Sequence, residues 1–150
     1  MTLFKKSNLL IAMMALTLAS VTQAKILHPL VVNSDSLQWS DAAELPPGAK
    51  VAILSGNPKK NEPFVARLKL PANYYIPVHS HPINEYDTVI SGALYLGLGN
   101  KHDLDRGKEL TVGSFALIPA GMLHSSWTKE ETILQINGVG PWGMIYYKRS

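Results

Sequence analysis

Turn-forming residues recur so often beyond residue 45 that they leave room only for short extended segments. Leu45-Pro46-Pro47-Gly48, Ser55-Gly56-Asn57-Pro58, Pro71-Ala72-Asn73, Gly99-Asn100, Gly113, Ala120-Gly121 and Gly138-Val139-Gly140-Pro141 supply the fixed φ of proline or the left-handed freedom of glycine and asparagine. Between them lie 51–54, 64–70, 74–81, 86–97, 110–118, 125–128, 132–137 and 144–148, none with a helical period. Short strands at this spacing predict an all-β sandwich or barrel. A chain of 150 residues closes one core and is too short for two. Residues 25–50 show few regular patterns and read as an arm leading into the barrel.

The N-terminus has a different character. Lys5-Lys6 precedes an apolar run over 9–21, which ends in Thr22-Gln23-Ala24. A charged start, a short apolar stretch and a small residue before a cut form the pattern of a secretory signal peptide, here residues 1–24, leaving a domain over 25–150. The run falls short of the roughly 20 apolar residues that cross a bilayer as a helix, so the expectation is a periplasmic or secreted protein without a stable membrane anchor. The competing reading is an uncleaved anchor.

Charge and cysteine content exclude several function classes. The formal net charge is +3, but without Lys5 and Lys6 twelve basic residues face eleven acidic ones. Lys59-Lys60 stands alone, and Lys101, Arg106 and Lys108 alternate with Asp103, Asp105 and Glu109, so no basic face for nucleic acid forms. The chain has no cysteine, which removes disulfides, thiolate metal sites and a thiol nucleophile. Any metal must be held by nitrogen and oxygen.

Three of the five histidines fall in two compact constellations. In His79-Ser80-His81-Pro82-Ile83-Asn84-Glu85, followed six residues later by Gly92, alternation in a strand puts His79 and His81 on one side, close enough for both imidazoles to meet one ion. Pro82 ends regular pairing, and the bend after it brings the Glu85 carboxylate back toward that ion. The second runs from Gly113 to Pro119-Ala120-Gly121-Met122-Leu123-His124, where a tight turn delivers a third imidazole. His28 and His102 match nothing and read as surface residues.

These two segments resemble the motifs of the cupins, G-x5-H-x-H-x3,4-E-x6-G and G-x5-P-x-G-x2-H-x3-N. The sequence departs from them at Asn73, where the first glycine is expected, and at Thr128, in place of the final asparagine. Eight fixed positions agree, a coincidence on the order of 10⁻¹⁰ for random residues. The resemblance implies a single-domain jelly-roll β-barrel with one divalent transition metal (Mn, Fe, Zn, Ni or Cu) held by His79, His81, Glu85 and His124. Cupins that lose the metal usually lose a ligand, and here all four are present. In an octahedral ion two positions stay open for water, substrate or dioxygen.

Alternation offers further pocket residues. Tyr75 and Pro77 share a face with His79, Ser126 shares one with His124, and Gln135 and Asn137 lie on one side of a strand whose other side carries Leu134 and Ile136. Tyr75, Ser126, Gln135 and Asn137 are therefore candidates for contact with a small-molecule ligand. The opposite assignment, with Gln135 and Asn137 in solvent and Leu134 and Ile136 in the core, fits the pattern equally. Tyr74, Trp127 and Trp142 read as packing residues. No separate acid–base pair stands out, so catalytic residues stay unassigned. The resemblance admits dioxygenases, oxalate-acting enzymes, isomerases and proteins that only bind a ligand. The leading expectation is a metal-dependent oxidoreductase of dioxygenase type acting on a small organic molecule. The alternatives are a non-catalytic secreted protein that binds metal or a small ligand, and a module that forms a homodimer through its outer strands.

Overall fold

The computed structural model describes residues 29–100 and 107–148. The expected cleavage site after Ala24, and also His28, His102 and the charged run at 101–106, lie outside the described residues. Among the described residues no helix is long and apolar enough to cross a membrane.

Among the described residues from Val32 onward, on which the strand count below also rests, the chain is all-β apart from one 3₁₀ turn, Ser34–Ser36. Eleven strands follow: β1 (Ser40–Asp41), β2 (Lys50–Ser55), β3 (Pro63–Leu70), β4 (Tyr75–Ser80), β5 (Glu85–Ser91), β6 (Leu94–Leu98), β7 (Lys108–Leu110), β8 (Phe115–Ile118), β9 (His124–Thr128), β10 (Thr132–Val139) and β11 (Ile145–Tyr146). They form two antiparallel sheets, ordered β1-β2-β3-β10-β5-β8 and β11-β4-β9-β6-β7. Two stretches read as continuous from sequence divide in two. The stretch 86–97 breaks at Gly92, whose φ of +72° lets the chain leave one sheet as β5 and enter the other as β6. A side chain there would meet the Glu131 carbonyl at 2.5 Å, so glycine is required. The stretch 110–118 breaks at Gly113 in the same way. The arm pairs within its own chain, Ser40 opposite Val51 and Asp41 opposite Lys50, and buries Leu45 and Ala49.

The core lies between the inner faces of the two sheets. Phe64, Ala66, Leu68 and Leu70 alternate inward on β3, Leu134 and Ile136 on β10, Val89 on β5, and Leu94 and Leu96 on β6. The two departures from the cupin motifs meet at one turn. Asn73 takes the left-handed backbone, φ +56°, that a glycine would take. Thr128 closes the same turn: its hydroxyl donates to Pro71 O at 2.6 Å and accepts from Tyr74 N at 3.1 Å.

Candidate metal centre

Two hydrogen bonds and one strand pairing bring the histidine segments together. His79 of β4 lies directly opposite His124 of β9. Gly121 N donates to His81 O at 2.9 Å, and Ala120 N donates to the Asn84 side chain at 2.9 Å, so the second turn is fastened to the first motif on both sides of Pro82. The ring centroids of His79 and His124 are 4.1 Å apart, those of His79 and His81 4.9 Å, and those of His81 and His124 5.2 Å. One ligand atom from each ring lies within 4.8 Å of the other two, and all three residues are buried.

The outer nitrogens fix the tautomers. His79 Nδ1 faces Pro77 O at 2.7 Å, His124 Nδ1 faces Met122 O at 3.0 Å, and His81 Nδ1 faces Gly143 O at 2.9 Å. A carbonyl only accepts, so each Nδ1 carries a proton, and in the neutral ring the lone pair is the one on Nε2. This is the arrangement in which a histidine ligates a metal, its far nitrogen tied to a backbone oxygen. Burial, reinforced by the His124 ring, lowers the His79 pKa to about 3, and burial lowers that of His124. Both are neutral near pH 7. Burial opposes charge on His81 too, but the adjoining Glu85 carboxylate outweighs it and raises the His81 value.

Glu85 stands beside this cluster. Its Oε1 lies 3.3 Å from His81 Nε2, its Oε2 accepts from the Trp142 indole N–H, and Asp87 shares a hydrogen bond with it. Burial opposes its charge, yet His81 above all, with the Trp142 N–H and the His124 ring, holds its pKa below the ordinary carboxylate value. The structure thus gathers three of the four expected ligands at one point and leaves the fourth alongside, engaged by Trp142 and Asp87. His81 Nε2 makes no aligned hydrogen bond although it is fully enclosed. Two neutral imidazoles, a third that becomes a donor when its Nε2 gives up a proton, and one buried carboxylate fit a divalent cation by charge and donor type.

The pocket candidates divide. Ser126 lies on the inner face with His124, opposite Leu96 and Ile76. Tyr75 does not share a face with His79, because the β4–β9 register shifts between Ile76 and His79. The extra residue at this bulge reverses the alternation, so Ile76 turns inward with His79 while Tyr75 joins Trp127 and Tyr95 on the outer face. Gln135 and Asn137 also stand outside: Leu134 and Ile136 fill the core, and the two polar residues pair with Thr88 and Tyr86 on the outer face of the sheet. Gln135 accepts there from Arg67 Nε at 3.2 Å.

Two residues at the site escape a reading of the sequence. Asp87 is buried and, two residues from Glu85 on the same strand, faces the same way. Burial and the Glu85 charge raise its pKa well above the carboxylate range, so it is the protonated partner of a carboxyl–carboxylate pair. The i, i+2 spacing on β5 is its only sequence signal. Trp142 stacks on His81 with centroids 5.2 Å apart and planes at 23°, besides holding Glu85. Its loop is remote from both motifs, and nothing in the sequence points it at them.

A family described as domain of unknown function (DUF4437) matches residues 24–142. No curated protein matches the sequence. Among solved structures, the polyketide cyclase RemF from Streptomyces resistomycificus is similar at 17% identity and a TM-score of 0.68, over 82% of this chain and 88% of that one. A putative acetylacetone dioxygenase from Methylibium petroleiphilum PM1 is similar at 16% identity and TM-score 0.62, over 82% and 83%. An RmlC-like cupin from Shewanella frigidimarina NCIMB 400 is similar at 17% identity and TM-score 0.59, over 73% and 90%. At these identities the likeness is one of fold, and the fold is that of the cupins.

Proposed function

The chain belongs to the DUF4437 family, and on that premise we propose that it is a metal-dependent oxidoreductase of dioxygenase type acting on a small organic molecule. One divalent transition metal is held by His79, His81 and His124, with Glu85 as the fourth ligand. The observation that carries this reading is the convergence of three buried imidazoles whose Nδ1 protons are all committed to carbonyls, with the His81 Nε2 facing Glu85 Oε1 at 3.3 Å. When bound, the metal supplies Lewis acidity and, if it is Fe, Mn or Cu, one-electron chemistry.

The chain's own groups orient and move protons. Backbone carbonyls hold the three rings in the ligating tautomer. Glu85 completes the ligand set or swings off to act as a base, and Asp87 favours its own protonated form beside it. Trp142 limits that swing through its N–H and covers His81 from one side. The cupin fold carries more than one chemistry, and the similar structures include both a cyclase and a putative dioxygenase.

The burial of all four side chains, 2–5% exposed, favours a second reading, a non-catalytic protein that binds the metal or a small ligand. Metal content and dioxygen uptake on a panel of diols, flavonols and oxalate separate the two. Metal-dependent uptake supports the enzyme, and metal without turnover supports the binding protein. The proposal includes export to the periplasm or medium after removal of residues 1–24, and a homodimer formed through exposed sheet edges. Intact mass of the exported protein and sedimentation test these two points, and retention of Lys5-Lys6 or a monomer at micromolar concentration would refute them.

A further inference from the structure

Trp142 also borders a cavity of about 320 Å³ that the histidine centre does not use. Phe64, Ala66 and Leu68 of β3 and Ile136 of β10 line it with buried apolar side chains, and residues 42–45 of the arm form part of its wall. Ile53 of β2 marks its mouth: paired with Ala66, it points to the inner side of the sheet, yet it is 47% exposed. The Trp142 wall is held in place. Trp142 N donates to Pro58 O at 2.7 Å, and Gly140 N donates to Glu62 O at 3.0 Å. A side chain at Gly140 would strike the Lys60 and Pro58 carbonyls at 2.3 and 2.7 Å, so the loop has no slack on that side.

Protein interiors keep few voids larger than a water molecule, and an apolar cavity of about 150 Å³ already admits benzene. A space twice that size, partly open to solvent and mainly apolar in lining although Asp41, Glu44, Asn57 and Lys59 also border it, has the dimensions of a small-molecule pocket rather than of a packing defect. We propose that this cavity binds a small uncharged molecule with an apolar body of one or two rings, and that Trp142 is the wall it shares with the histidine centre. The proposal deepens the functional reading above, on which it rests for the use made of the bound molecule: the ring body packs on Trp142, whose other contacts are His81 and Glu85.

Calorimetric titration of the full-length protein with indole, an uncharged two-ring probe, tests this, with glucose as the polar probe of similar size. The titration is run on protein as purified and after chelator treatment, with metal content measured in parallel. One indole per chain with a sub-millimolar Kd, and no uptake of glucose, is expected in both samples. Ile53→Asp, a charge at the half-exposed mouth, and Ala66→Leu, which fills the interior, should each weaken indole at least tenfold without changing metal content. Ile53 lies outside the packed core, so its variant keeps the test standing if Ala66→Leu does not fold. No indole uptake, equal uptake of glucose, or unchanged affinity in Ile53→Asp would overturn the proposal. Metal without indole defeats the cavity alone, and indole without metal defeats the metal centre alone.

Discussion

At one end of the interior Leu68, Val89, Leu94 and Leu134 point inward from four strands, while toward the other end Glu85, Asp87 and His124, again on inner faces, meet His79 and His81. The two groups are buried to the same degree, but burial acts on them in opposite directions. Apolar side chains gain roughly 1.5–3 kcal/mol each from leaving water, at any pH. Buried imidazoles and carboxylates lose hydration and recover it only through hydrogen bonds or a bound cation. A chain selected for stability alone would extend the apolar end, and the polar end is the place of the metal proposed above.

The largest effect expected from breaking this contrast is at the apolar end. Leu94→Ala should destabilise the protein by about 2–5 kcal/mol, read from guanidinium unfolding, and leave the metal content of the folded fraction unchanged. A matching loss of metal would mean that the two ends are not separable.

The polar end should respond to acid. The His79 pKa is near 3 in the folded protein against about 6.5 for a free imidazole, so the unfolded chain binds the extra proton over that window. Stability held by the neutral ring above pH 6.5 is lost as pH falls toward 3. His79→Asn should flatten this acid limb in chelator-treated protein, in thermal melts across pH, and an unchanged limb would remove His79 as its source.

Trp142→Phe keeps an aromatic ring over His81 but removes the N–H from Glu85. Losing a hydrogen bond to a buried charge should cost about 1.5–3 kcal/mol in the metal-free protein. A cost within 0.5 kcal/mol, on the order of a neutral surface change, would show that Glu85 does not depend on Trp142. The smallest effect belongs to Thr128→Asn, which installs the residue of the cupin motif. Because Thr128 already bridges Pro71 and Tyr74, the change should stay within about 1 kcal/mol.

How much of this was legible in the sequence depended on where alternation holds. On β10 it runs unbroken, and the choice left open there is settled by Leu134 and Ile136 filling the core. On β4 the same rule fails, because a bulge between Ile76 and His79 turns Tyr75 to the outside, and a period-two count cannot see an inserted residue. The histidine cluster was legible because its spacing lies within two short segments. Asp87 and Trp142 were not: one shows only as a second acid on a strand, and the other is brought 57 residues back to Glu85 by the fold.

The most direct test of the central claim is metal stoichiometry by elemental analysis after anaerobic purification and reconstitution, on the wild type and on His81→Ala, His124→Ala, His28→Ala and His102→Ala. Close to one divalent transition metal per chain is expected in the wild type and in the His28 and His102 variants, and severe loss in the other two. No metal in the wild type, or equal content in the His124 and His102 variants, would contradict it.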